Sequence, residues 1–250
     1  MNKALRRLRG IPRTLADFIT LRRQRAQSTH RFPFGTFKPR PGDRYEQNGN
    51  SARGQYFHQD FLVARRIFLN SPQRHLDVGS RVHGFIAHVA SYREIETIDV
   101  RPAIEHLPNV RFLQADLMGT LPAHLLACCD SLSCLHTIEH FGLGRYGDPV
   151  NFEGHLVGLE NLRRLLKPGG KFYFSTTIGP QRIEFNAHRV FDLDYLLALL
   201  EPHFAIDHFS YVDDRGDLHE HIDLTADRRR TSCGCRFGLA ILELTKRRAP

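Results

Sequence analysis

Three aspartates stand where an alternating strand–helix chain would place its strand ends. Asp77 lies in His75–Val78, Asp99 in Glu94–Val100, and Asp116 just after Val110–Gln114. Neighbouring parallel strands end on one edge of a sheet, so the three carboxylates converge on one crevice. An acid after the second strand offers the two adjacent acceptors that a ribose diol needs. An acid after the third can reach an adenine amino group. Upstream, Arg74–Gly84 reads as strand, small-residue turn and helix. There Gly79 and Ser80 let backbone N–H groups approach a ligand. The spacing is Gly-x-x-x-x-Gly rather than G-x-G-x-x-G, so this stretch alone is also compatible with an ordinary turn. Strand-end aspartates also cap turns and helices. One such residue is uninformative, whereas three in order point to a nucleoside site.

The elements that must position these groups follow from periodicity. A helix is expected over Gln55–Leu69, with Phe57, Phe61, Leu62, Ala64, Ile67 and Phe68 as its apolar face, ended by Ser71-Pro72. The first strand feeds a helix from Gly84. A short helix is expected at Pro102. A fourth strand spans Asp130–Leu135, and a Gly-rich loop follows from Gly142 to Pro149. A helix over Phe152–Leu166 stops at Lys167-Pro-Gly-Gly170. A fifth strand over Lys171–Thr177, a helix over Leu193–Leu200, and strands at Phe204–Tyr211 and Phe237–Leu244 complete the pattern. Such alternation predicts a parallel sheet covered by helices on both faces.

The chain of 250 residues, 41% hydrophobic, is long enough for one large α/β domain with a real core. No apolar run reaches the length of a transmembrane helix. The N-terminus lacks a signal-peptide core, and five cysteines form no even disulfide framework, so a reducing cytoplasm is expected. Cys233-Gly-Cys235 has no second pair at zinc-site spacing, so no metal is expected. The net charge is +8, and much of the excess lies in residues 1–25, where Leu5, Leu8, Leu15, Phe18 and Ile19 form an approximate helical stripe. A basic arm and linker over 1–54 therefore precede a domain over 55–250. The arm reads as solvated, or as a peripheral contact with an anionic membrane. Nucleic acid is not expected as a partner, because no basic strip is interleaved with stacking aromatics.

The segments L-D-V-G (76–79), T-I-D (97–99), F-L-Q-A-D (112–116), D-S-L-S-C-L-H-T-I-E-H (130–140) and L-L-K-P-G-G-K-F-Y-F-S (165–175) resemble the successive motifs of class I S-adenosylmethionine-dependent methyltransferases. The resemblance spans roughly residues 55–245. Y-F-H-Q-D (56–60), G-S-R-V-H-G-F-I-A-H (79–88), I-E-H-F-G-L-G-R-Y-G-D-P (138–149) and F-N-A-H-R (185–189) are similar to a domain-of-unknown-function family of methyltransferase-like proteins associated with cell-surface glycan assembly. The resemblance implies a three-layer Rossmann-like α/β fold, with a mostly parallel seven-stranded sheet whose last strand is antiparallel. It implies S-adenosylmethionine as cofactor, its methionine near Asp77, Gly79 and Ser80, its ribose on Asp99, its adenine on Asp116 and Leu117, and His136 beside it. The first motif departs from the superfamily pattern: Arg81 and His83 occupy positions usually held by glycine, and Gly84 comes one residue late.

Methyl transfer from a sulfonium is an in-line displacement, in which positioning and exclusion of water matter most. A hydroxyl acceptor also needs a base. His140, His188 and Glu139 are the candidates, although the Glu-His pair of the superfamily often braces its loop. Arg145, Asn186 and Arg189 lie on loops that would face the acceptor, and either arginine can grip a phosphate or carboxylate bidentately. The expected activity is methylation of a hydroxyl or carboxylate on a sugar or glycan intermediate. Two other readings share the architecture: a non-catalytic methyltransferase-like binding protein, and an NAD-dependent sugar oxidoreductase.

Overall fold

The computed structural model describes residues 3–29, 33–45, 52–101 and 106–248. The short helix expected at Pro102 lies outside the described residues. The chain divides into two compact units, Met1–Ser51 and Ala52–Pro250.

The first unit is built on helix α1, Lys3–Gln27. Phe18 packs edge-on against Phe34 and Phe37, with ring centroids 5.6 and 5.1 Å away. Gly10 lets the chain at Pro41 come close to the helix, since a Cβ there would lie 1.6 Å from the Pro41 carbonyl oxygen. Arg44 pairs with Asp17 at 2.5 Å.

The second unit begins with α2, Gln55–Asn70. Its buried face is Gln59, Asp60, Leu62, Val63, Ala64 and Ile67, whereas Phe57, Phe61 and Phe68 are half exposed. The expected apolar face was thus rotated by about one residue, because the three phenylalanines outweighed two polar side chains that are in fact buried. Strand β1, His75–Val78, is buried throughout. A π-turn over Val82–Ile86 and the single-turn helix α3, Ala87–Ala90, follow it. The remaining elements are β2 (Ile95–Asp99), β3 (Val110–Gln114), β4 (Cys129–Leu135), α4 (Gly154–Leu165), β5 (Leu166–Ile178), β6 (Arg182–Glu184), β7 (His188–Val190), α5 (Leu193–Leu200), β8 (Phe204–Val212), β9 (Leu218–His219), α6 (Ala226–Arg230) and β10 (Gly238–Lys246).

The main sheet has the order β3-β2-β1-β4-β5-β10-β8-β9. Pairings from β3 through β5 are parallel, and β10 runs antiparallel between β5 and β8. This is the expected α/β sheet with an antiparallel last strand. It carries eight strands rather than seven because the two-residue β9 pairs with the end of β8. Side chains alternate between two cores, as the period of two in a strand requires. Phe172 and Phe174 face a core with α4 and α5, while Tyr173 between them faces a core with α2 and α3. Strands β6 and β7 form a separate hairpin in a stretch read from sequence as loop.

Candidate active site

Beneath the first strand lies a polar network. His75 places Nδ1 2.8 Å from the Ser131 hydroxyl and Nε2 3.1 Å from that of Ser133. Asp77 accepts the Ser133 hydroxyl at 2.5 Å and the Ser80 hydroxyl and backbone N–H at 2.8 and 3.1 Å. Burial pushes the Asp77 carboxyl up to about 6, and these hydrogen bonds only partly offset it. Asp77 therefore shapes the turn from beneath, while Gly79 and Ser80 face the ligand side. Gly79 sits at φ +72°, and a Cβ there would meet the Thr137 side chain at 2.4 Å. A glycine is thus required both by the left-handed backbone and by the close approach.

A cleft of about 320 Å³ opens at the carboxyl ends of β1 to β4, within the usual range of small-molecule sites, roughly 300–1,000 Å³. Val78, Ile98 and Leu117 give it apolar walls, and Gly79, Ser80, Asp99, Asp116, His136 and His140 lie on its lining with them. Of the expected cofactor residues, all but the buried Asp77 thus share one cavity. Asp116 also turns one oxygen to the Met118 N–H at 2.8 Å. Burial alone would raise the Asp99 carboxyl, but the hydrogen bonds and charge of Arg101 outweigh it and hold the carboxyl low.

The 3₁₀ turn Ile138–His140 sends two expected site residues, Glu139 and His140, in different directions. Glu139 points inward and is fully buried. It accepts His136 Nδ1–H at 2.5 Å and the Thr176 hydroxyl at 3.1 Å. Burial disfavours its charge, but the neighbouring His136 more than compensates and keeps the carboxyl low. Glu139 does not reach the cleft, so it braces β4 against β5 and is no base. His136 also turns Nε2 to Gln55 Oε1 at 3.0 Å, and Gln55 is fixed in turn by donating to the Phe237 carbonyl at 2.9 Å. Both ring nitrogens of His136 thus face oxygen acceptors. Tyr56 stacks on the ring at 4.7 Å.

His140 points outward onto the cleft. Its Nδ1–H donates to the Ala187 carbonyl at 2.6 Å. That fixes the tautomer and leaves Nε2 as the proton-accepting nitrogen. Burial lowers its proton affinity, partly offset by the nearby Glu139 charge. Arg145 donates to the same carbonyl at 3.1 Å and stacks over Tyr146, 5.2 Å from the ring centroid. The loops after β4 and β5 are therefore tied together.

The other acceptor-side expectations fall differently. Arg189 is buried, and its guanidinium donates to the carbonyls of Phe141 at 2.5 Å and Phe152 at 2.9 Å. It holds the Gly-rich loop and is not presented to a ligand. Asn186 sits at the hairpin turn with φ +58°, off the cleft. His188 also lies off the lining, its ring 6.4 Å from His140 and 5.0 Å from Phe237. The sequence could not separate these residues, because the hairpin that orients them was not legible. It also passed over Tyr56, Gln59, Asp60 and Tyr146, all on the cleft lining. For Asp60 the signal was present, in its place on the inward face of α2.

The residues present suit an adenosyl sulfonium donor: an apolar slot for a base, and acids at the ends of β2 and β3. Among the described residues no group of three His, Cys, Asp or Glu side chains is arranged to hold a metal ion.

Residues 124–236 match the family described as "Caenorhabditis protein of unknown function, DUF268". Among curated proteins none matches the chain by sequence. Solved structures are similar in fold. The [4+2]-cyclase SpnF is 17% identical, with 80% of this chain and 86% of that one covered at a TM-score of 0.54. The N-methyltransferase NodS from Bradyrhizobium japonicum WM9, solved with S-adenosyl-L-homocysteine, is 13% identical, with 81% and 90% covered at a TM-score of 0.50. The chain therefore has the Rossmann-like α/β fold of the methyltransferases.

Proposed function

We propose that this protein is an S-adenosylmethionine-dependent methyltransferase acting on a hydroxyl group. One observation carries the reading: Asp99 and Asp116 line the same cleft as His140, whose Nδ1–H is fixed on Ala187 O. When bound, the cofactor supplies an electrophilic methyl group on a sulfonium. Asp99 binds the ribose diol and Asp116 the adenine amino group. His140 takes the acceptor proton at Nε2, Tyr146 on the lining flanks the acceptor with Arg145 stacked over it, and the tied loops exclude water. The acceptor class, a sugar or glycan intermediate, rests on the resemblance of the 56–60, 79–88, 138–149 and 185–189 segments alone. The test is calorimetry with S-adenosylhomocysteine and NAD, followed by transfer of labelled methyl to a panel of nucleotide sugars and oligosaccharides. Absence of any adenosyl binding overturns the reading. NAD binding in its place favours the oxidoreductase, and donor binding without turnover on any acceptor favours a binding protein.

We propose further that α1 contacts an anionic membrane surface from the cytoplasmic side. No helix of the described residues is long and apolar enough to cross a membrane. Along α1, however, Leu5, Leu8, Leu15 and Ile19 are 50–68% exposed. Arg6, Arg7, Arg9, Arg13, Arg22 and Arg23 accompany them on the same helix. The single acid, Asp17, is already paired with Arg44. This is the composition of an interfacial helix.

A further inference from the structure

Four carboxylates line the cleft, and three have a partner that accounts for their position. Asp99 holds Arg101, Asp116 holds the Met118 N–H, and Asp148 accepts the N–H groups of Gly142, Gly144 and Tyr146. Asp60 is different. It is only 8% exposed, and its Oδ1 accepts the Gln59 amide at 2.9 Å. Its Oδ2 accepts no hydrogen bond among the described residues. Gly84 keeps that oxygen uncovered: a Cβ at this position would lie 2.5 Å from it. His88, His136 and Arg81 act on Asp60 by charge, yet none of them pairs with it among the described residues, and Arg81 lies over the Tyr56 ring instead, 4.2 Å from its centroid. A carboxylate desolvated without a paired cation is costly, and burial pushes Asp60 up accordingly.

Asp99 and Asp116 fix the nucleoside end of the cleft at β2 and β3. The other end lies where α2 meets the turn after β1. A ligand that fills the whole cleft presents there the group farthest from its base. We propose that Asp60 is the residue that recognises the cationic amino-acid end of the methyl donor, by accepting its α-ammonium on Oδ2. This inference rests on the methyl-donor reading of the same cleft. It also accounts for the altered first turn, because a helix side chain supplies recognition that a glycine-lined loop would otherwise provide through its backbone.

The test compares two ligands on the full chain by calorimetry. S-adenosylhomocysteine carries the α-ammonium, and 5′-methylthioadenosine has the same nucleoside without it. Asp60→Asn is expected to weaken S-adenosylhomocysteine roughly 10- to 100-fold, the scale for a hydrogen bond to a charged group. It is expected to leave 5′-methylthioadenosine within about twofold, so the second ligand also reports whether the variant is folded. Equal weakening of both ligands, or of neither, overturns the assignment while leaving the donor reading in place. A wild-type chain that binds neither ligand overturns both.

Discussion

Asp99 and Arg101 close on each other as a two-pronged pair. Arg101 Nε lies 2.9 Å from one Asp99 oxygen and Nη2 2.8 Å from the other, and the Arg101 N–H donates to the first oxygen at 2.9 Å. These are the oxygens that a ribose diol would use. The guanidinium is more than half exposed, so it competes with the ligand at little cost to the fold. Arg101→Gln is expected to raise S-adenosylhomocysteine affinity several-fold with almost no change in melting. Asp99→Ala is expected to weaken it by about 1–3 kcal/mol. Calorimetry on both variants decides the point, and weaker binding in Arg101→Gln would mean that the arginine orients the carboxylate rather than masking it.

His140 should behave as a base whose proton-accepting nitrogen is preset. His140→Ala is expected to lower turnover roughly 100- to 10,000-fold with donor affinity unchanged. Burial lowers the imidazole's pKa, so its neutral, active form persists below the ordinary 6.5. The acid limb of kcat against pH should therefore fall below 6.5 and vanish in the variant. An unchanged limb would place the base elsewhere.

His75 should make the fold acid-sensitive. Its ring is fully buried between two serine hydroxyls, and burial drops its pKa from 6.5 to about 3. The unfolded chain then binds a proton that the fold excludes. Stability from this group is complete above about 6.5 and is lost as pH falls toward about 3, at about 1.4 kcal/mol per pH unit. Asp77, raised by burial to about 6, works in the opposite sense, its contribution declining as pH rises toward 6. Comparing wild type with His75→Gln removes that common part. The stability gap between the two in urea melts should shrink with acidification, and a pH-independent gap would be incompatible with a neutral buried imidazole.

Sedimentation with liposomes tests α1. The full chain should pellet with vesicles containing anionic lipid and be released by salt, since the attraction is partly Coulombic. A chain lacking residues 1–25 should stay in the supernatant with its melting temperature unchanged. Pelleting of the shortened chain to the same extent counts against the helix as the contact.

What the sequence determined by itself was periodic or local. Strand runs such as Asp130–Leu135, the breaker at Lys167-Pro-Gly-Gly170 and the acids at Asp99 and Asp116 are read directly, because burial on a sheet imposes a period of two and the chain must turn where glycine and proline permit. From these the α/β alternation and the position of the crevice followed. The tertiary structure alone decided which way each polar side chain points. Glu139 and His140 are adjacent in sequence, yet one 3₁₀ turn buries the first, where it accepts His136 and Thr176, and leaves the second on the cleft lining. Arg189 read as a ligand grip until the loop carbonyls that it bonds were in place. Asp60 carries no signal of its own in the sequence beyond its position on α2, and only the packing of the turn at Gly84 against α2 gives it a place on the cleft. A side chain's chemical role depends on which unpaired groups long-range packing brings to it, and no local spacing encodes that.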